Sequence, residues 1–97
     1  MTNRLSEIQI IPIKPQNGLV AFVSFILDES LYLGSIGIMT RPQGGYRLVY
    51  PTKKVAEKNL NIFYPINREF ALAIENEVVK QFEEVMKKYD RHNSFNS

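Results

Sequence analysis

The chain has 97 residues, 44% of them hydrophobic, and a formal charge of +2 from 12 basic and 10 acidic side chains. This length holds one domain with its own core and leaves no room for two. Cysteine is absent, which excludes a disulfide framework, a thiol nucleophile and a thiolate zinc site.

The first two-thirds of the chain reads as strands. "LSEIQIIPI" (5–13) is β-branched and partly alternating, and Pro12 suits an edge strand or a bulge. "PQNG" (15–18) carries Asn-Gly, the strongest short hairpin signal. "LVAFVSFIL" (19–27) is the second strand, and "DES" (28–30) turns the chain again. "LYLGSIGIM" (31–39) is the third, in which Gly34 and Gly37 mark weakness or close backbone approach. "RPQGG" (41–45) is the next turn and "YRLVY" (46–50) the fourth strand. Residues 51–59 read as an irregular basic loop, and "LNIFYPI" (60–66) as a short fifth strand or an extended return.

From Asn67 the period changes. Asn67 is an N-cap candidate, and Glu69 in the first turn suits the helix dipole. Phe70, Ile74, Val78, Phe82, Val85 and Tyr89 recur every three to four residues, predicting a helix over 68–89. Glu75, Lys80, Glu83, Glu84 and Lys87 fall largely on the opposite side. "RHNSFNS" reads as a flexible polar tail, so the domain is expected at 1–90 and the tail at 91–97. Strands first and one helix last make an α+β fold, an antiparallel four- to five-stranded meander sheet followed by one C-terminal helix.

The second strand raises a problem of cover. Leu19, Ala21, Val23, Phe25 and Leu27 alternate with Val20, Phe22 and Ile26, and Ser24 is its only polar residue. A strand apolar on both faces is normally buried on both. One helix covers one face. The other is expected to meet a second copy of the chain in a homodimer, or else loop 51–60 folded over it.

Catalytic chemistry finds little support. His92 is the only histidine and falls in the tail. Glu83 and Glu84 are adjacent on a helix and point about 100° apart. Asp28-Glu29-Ser30 is a hairpin turn, and Gly44-Gly45 lacks both the spacing and the strand-to-helix setting of a phosphate loop. No metal-ligand spacing, cofactor motif or small-molecule substrate site is legible, and no enzyme is expected. "MTNRLSEIQI" has no charged-then-apolar signal pattern, and the longest apolar run is far short of the roughly 20 residues that span a bilayer. The expectation is a soluble cytoplasmic protein with no membrane partner.

Charge is unevenly placed. Residues 1–68 carry eight bases against four acids, and residues 69–97 four against six. Arg41, Arg47, Lys53, Lys54, Lys58 and Arg68 fall within 41–68, where Glu57 is the lone acid. These six can face one phosphate backbone, and each neutralised phosphate makes binding salt-sensitive. Tyr46, Tyr50, Phe63 and Tyr64 are interleaved and offer rings for stacking on bases. The helix start at 67–70 adds backbone N–H groups to the same region. The competing reading is a solvated loop with its aromatics in the core. The helix is a poor recognition helix, because its exposed face is acidic and it has no companion helix.

The order of these features resembles the stage V sporulation protein G (SpoVG) family of septation regulators. The resemblance covers about 5–89. It rests on the apolar second strand ending in "LDE" (27–29), on "YRLVYPTKK" (46–54), and on "FYPIN" (63–67) before the helix. It implies a small α+β domain, a homodimer, and a regulator that binds DNA and RNA. The family's basic pair falls on Lys53 and Lys54, framed by Pro51 and Thr52, and its turn into the helix on Pro65 and Asn67. Two departures stand out: "VAEKNLN" (55–61) lacks the family's glycine and carries an extra lysine, and Tyr64 replaces the usual histidine. The competing function is a protein-interaction module that regulates a partner without nucleic acid.

Overall fold

Leu5–Gln16 (β1), Leu19–Leu27 (β2), Leu31–Thr40 (β3) and Tyr46–Val49 (β4) form an antiparallel sheet in the order β1-β2-β3-β4. Thr52–Val55 (β5) and Lys58–Asn61 (β6) pair only with each other, and Arg68–Asn96 (α1) closes the chain. The computed structural model describes the backbone over 4–96 and the side chains over 4–88. The side chains of Tyr89 and His92 and the residue at 97 lie outside the described part. The expected α+β meander with one C-terminal helix is what the chain forms. The backbone of α1 continues through 91–96, where a tail was expected.

Turn chemistry sets the meander. Asn17 and Gly18 both take positive φ, 54° and 91°, the geometry a two-residue hairpin requires between Gln16 and Leu19. Asp28 and Glu29 follow at 55° and 54°, and the Asp28 amide donates to the Arg4 carbonyl at 3.0 Å. Gly44 and Gly45 supply the positive φ of the third turn. Pro12 sits on β1, an edge strand, where its missing N–H breaks no ladder between two neighbours.

The core lies between one face of the sheet and α1. Ala21, Val23 and Phe25 of β2 meet Ile36 and Ile38 of β3, Leu48 of β4, and Ile74, Val78 and Phe82 of α1. The register makes this one face: Ala21 lies opposite Ile38, Val23 opposite Ile36, and Ile38 opposite Leu48. No polar or charged residue is buried as a whole among the described residues. Phe70, Ile74, Val78 and Phe82 of the predicted helical stripe pack on this core, and at its far end Met86 joins it in place of Val85. At the helix start the Asn67 side-chain oxygen accepts from the Phe70 amide at 2.8 Å, which makes Asn67 the N-cap.

The opposite face of the sheet is open. Ile11, Phe22, Gly37 and Val49 share one row across all four strands, and Ile26 pairs with Tyr32 in another. Ile11 is 63% and Tyr32 68% exposed. The Leu19 side chain lies over Gly37, where an added Cβ would stand 2.8 Å from its Cδ1 but 3.8 Å from the Val49 carbonyl oxygen, so this glycine makes room for a side chain and not for a close backbone. Strict alternation along β2 fails at one point. The register shifts between Leu19 and Ala21, and Val20 packs toward the helix-side core instead of joining Phe22.

Residues 51–61 correct the expectation of an irregular basic loop at 51–59, and of the two readings of 60–66, a short fifth strand or an extended return, only 60–61 lie in a strand. The chain instead forms a two-stranded arm in which Thr52 pairs with Asn61 and Val55 with Lys58. The turn at Ala56-Glu57 is tight, with Ala56 at φ 57°. The Ile62 amide donates to the Pro51 carbonyl at 3.0 Å and closes the base. Residues 62–66 then run without regular structure to the helix cap. Every residue from 52 to 62 is exposed, so this segment does not fold over the open face of the sheet.

Candidate nucleic-acid interface

The arm carries three of the six predicted cations and separates neighbours that the sequence places together. Side chains alternate along a strand. With Lys53 opposite Leu60 and Val55 opposite Lys58, one face presents Lys53, Val55, Lys58 and Leu60. With Lys54 opposite Asn59 and Thr52 opposite Asn61, the other presents Thr52, Lys54, Asn59 and Asn61. Lys53 and Lys54 therefore point to opposite sides. Glu57 sits at the turn, so the arm bears three positive charges against one negative. Among the described residues no ion pair ties down any of its lysines.

The three arginines are dispersed. Arg41 is matched within the molecule: its Nη2 lies 3.0 Å from Glu75 Oε2 and its Nε donates to the Tyr46 carbonyl at 3.0 Å. It thus fastens the third turn to α1. Arg47 lies on the open face of the sheet, opposite Met39, with Nη2 4.0 Å from the Met39 sulfur. Arg68 is exposed at the helix start.

Most of the aromatic residues offered for stacking are structural. Tyr46 packs edge-on against Phe82 with centroids 4.9 Å apart, and Tyr50 against Phe63 at 6.0 Å. All four of Tyr46, Tyr50, Phe63 and Phe82 belong to the core or lean on it. Burying these rings stabilises the monomer, which is why they face inward. Tyr64 differs, being 54% exposed. The Tyr50 hydroxyl is enclosed without a hydrogen-bond partner. Burial, and secondarily the Glu75 carboxylate, push its phenol up to about 12.

Sequence reasoning missed Glu75 as the partner of Arg41, a contact that spans 34 positions and has no local signature. It also missed Thr52, Asn59 and Asn61 as companions of Lys54. The period-two pattern of "TKKV" and "KNLN" carries that signal once the two segments are read as paired strands.

The chain matches the SpoVG family over residues 3–84. It belongs to the SpoVG family. Membership places it among regulators linked in general terms to sporulation and septation, in a family of regulators and not of known enzymes. Comparison with curated protein sequences finds no match. No helix among the described residues is long and apolar enough to cross a membrane, and no cluster of three or more His, Cys, Asp or Glu is placed to hold a metal ion among them.

Proposed function

We propose that this SpoVG-family chain is a homodimeric, cytoplasmic, non-enzymatic regulator that binds nucleic acid through its β5–β6 arm. One observation carries the reading: three lysines stand on a fully exposed two-stranded projection, and among the described residues none of them is held in an ion pair. Lys53, Lys54 and Lys58 supply phosphate contacts, with Arg47 and Arg68 as a wider electrostatic rim. Arg41 contributes less, because Glu75 already neutralises it. The open face of the sheet supports a second copy as its cover, since Ile11, Phe22 and Tyr32 are exposed there.

The test is a titration of DNA and RNA against salt, comparing the wild-type chain with Lys53→Ala/Lys54→Ala. The expected slope of log affinity against log salt becomes shallower by up to about 2 for DNA. An unchanged affinity, or no salt slope in the wild type, sinks the reading. Sedimentation at micromolar concentration tests the dimer, and a species of 11.2 kDa refutes it.

The same apolar face supports a second reading, a module that holds a partner protein without nucleic acid. Capture from nuclease-treated extract separates the two. Partners lost after nuclease favour the first reading, and partners that persist and are released by Phe22→Ser or Tyr32→Ser favour the second.

A further inference from the structure

The two faces of the arm differ in chemistry, and the difference divides their tasks. Thr52, Lys54, Asn59 and Asn61 form a wholly polar face. Among the described residues none of these four side chains has a hydrogen-bond partner, so their donors and acceptors are available. The other face places Val55 and Leu60, 47% and 49% exposed, beside Lys53 and Lys58. A base edge is read by paired donors and acceptors, and an asparagine amide matches the N6 and N7 of adenine in the major groove. Apolar side chains offer nothing equivalent beyond contact with a methyl group.

The dimensions suit this task. Paired strands lie about 4.8 Å apart, and a two-stranded ribbon enters a major groove about 12 Å wide. The Lys54–Asn59 and Thr52–Asn61 pairs stand two residues apart along the ribbon, roughly 7 Å. That is about two base-pair steps of duplex DNA. Lys53 belongs to one strand and Lys58 to the other, both on the face turned away from the bases. Their long flexible stems fold over the two edges of the ribbon toward the phosphates lining the groove.

We propose that the arm enters the major groove of duplex DNA with its Thr52/Lys54/Asn59/Asn61 face toward the bases, and that Asn59 and Asn61 select adenines. This rests on the nucleic-acid reading above and adds a direction and a base preference to it. Lys54 stands beside the two amides, and its ammonium meets guanine O6 or N7, or a phosphate, in the same groove.

The experiment selects sequences from a pool of random double-stranded DNA with the full-length chain. It is repeated with Asn59→Ala/Asn61→Ala and with Lys53→Ala/Lys58→Ala. Circular dichroism and the salt slope are measured for each protein. The wild type is expected to enrich adenines two base pairs apart. Removing the amides is expected to lower discrimination at each such adenine by about tenfold or more, with the salt slope kept. Removing Lys53 and Lys58 is expected to weaken all sequences alike and keep the preference. Overturning results are an enrichment that survives loss of both amides, or salt-sensitive duplex binding by the wild type with no enrichment. The second leaves the nucleic-acid reading standing. Binding of single-stranded RNA alone also overturns the inference and spares that reading, whereas no binding to any nucleic acid removes both.

Discussion

The four-stranded sheet with its helix and the β5–β6 arm are both built from antiparallel strands, yet different forces hold them. In the first, nine apolar side chains from β2, β3, β4 and α1 close on one another with little or no exposure. Burial of that kind contributes roughly 1.5–3 kcal/mol per large side chain. The arm has no such core. Its residues are exposed, and what joins its strands is the ladder from Thr52–Asn61 to Val55–Lys58. An isolated two-stranded hairpin is marginally stable in water. Proteins keep such elements where a surface must meet something other than themselves, and function concentrates on parts held by a rigid scaffold.

The largest effect that can break this contrast is the cost of truncating a core ring. Phe82→Ala removes a buried ring packed on Tyr46 and is expected to cost about 3–5 kcal/mol in urea unfolding. Leu60→Ser on the arm is expected to cost under about 0.5 kcal/mol in the same measurement. Comparable losses would mean that the arm belongs to the cooperative core. Hydrogen exchange should agree, with arm amides exchanging through local opening and those of β2 and β3 only through global unfolding.

The turn of the arm gives the next effect. Ala56 holds a φ of 57°, a conformation that costs an L-residue with a Cβ roughly 1–2 kcal/mol. Ala56→Gly removes that strain, and the greater freedom of glycine in the unfolded chain offsets part of the gain. A net stabilisation of about 1 kcal/mol is expected for the arm alone. It would be read as slower exchange of the amides over 52–61, with the global urea midpoint unchanged. A raised global midpoint would join the arm to the core after all.

The smallest effect lies at the junction of the two regions. Tyr50 follows β4 and its hydroxyl is enclosed without a partner. Its folded-state value of about 12 stands above the ordinary 10.0. The stability linked to it is therefore complete below pH 10 and declines as pH rises toward 12, because the unfolded phenol ionises first. Tyr50→Phe is expected to flatten the fall of the unfolding midpoint between these values without weakening the protein at pH 7. A steeper alkaline loss in that variant would contradict the placement of the hydroxyl.

Those same regions differ in how far they were legible. Asn17-Gly18, the spacing of Ile74, Val78 and Phe82, and Asn67 before the helix each state a local rule that the packing obeys. The arm obeys a rule that local reading does not reach. Its turn uses alanine where glycine is usual, so the hairpin lacked its strongest cue. Its strands mix lysine with valine and leucine, which blurs the alternation. The adjacent pair Lys53-Lys54 reads as one basic spot and becomes two opposed ones once paired. Val20 was assigned to the wrong face because a bulge is a property of two strands together. The Arg41–Glu75 bridge joins distant segments that only the fold brings close.

The hydrogen bond between Ile62 and Pro51 has an evolutionary consequence. The chain leaves the domain and rejoins it at a single closed gate. Whatever lies between those two residues can lengthen, shorten or be exchanged while the scaffold sees the same pair of crossings. A segment anchored in this way can be rewritten over its ten residues, 52 to 61, while the sheet behind it stays as it is. The stretch "VAEKNLN" (55–61) lies wholly inside that gate.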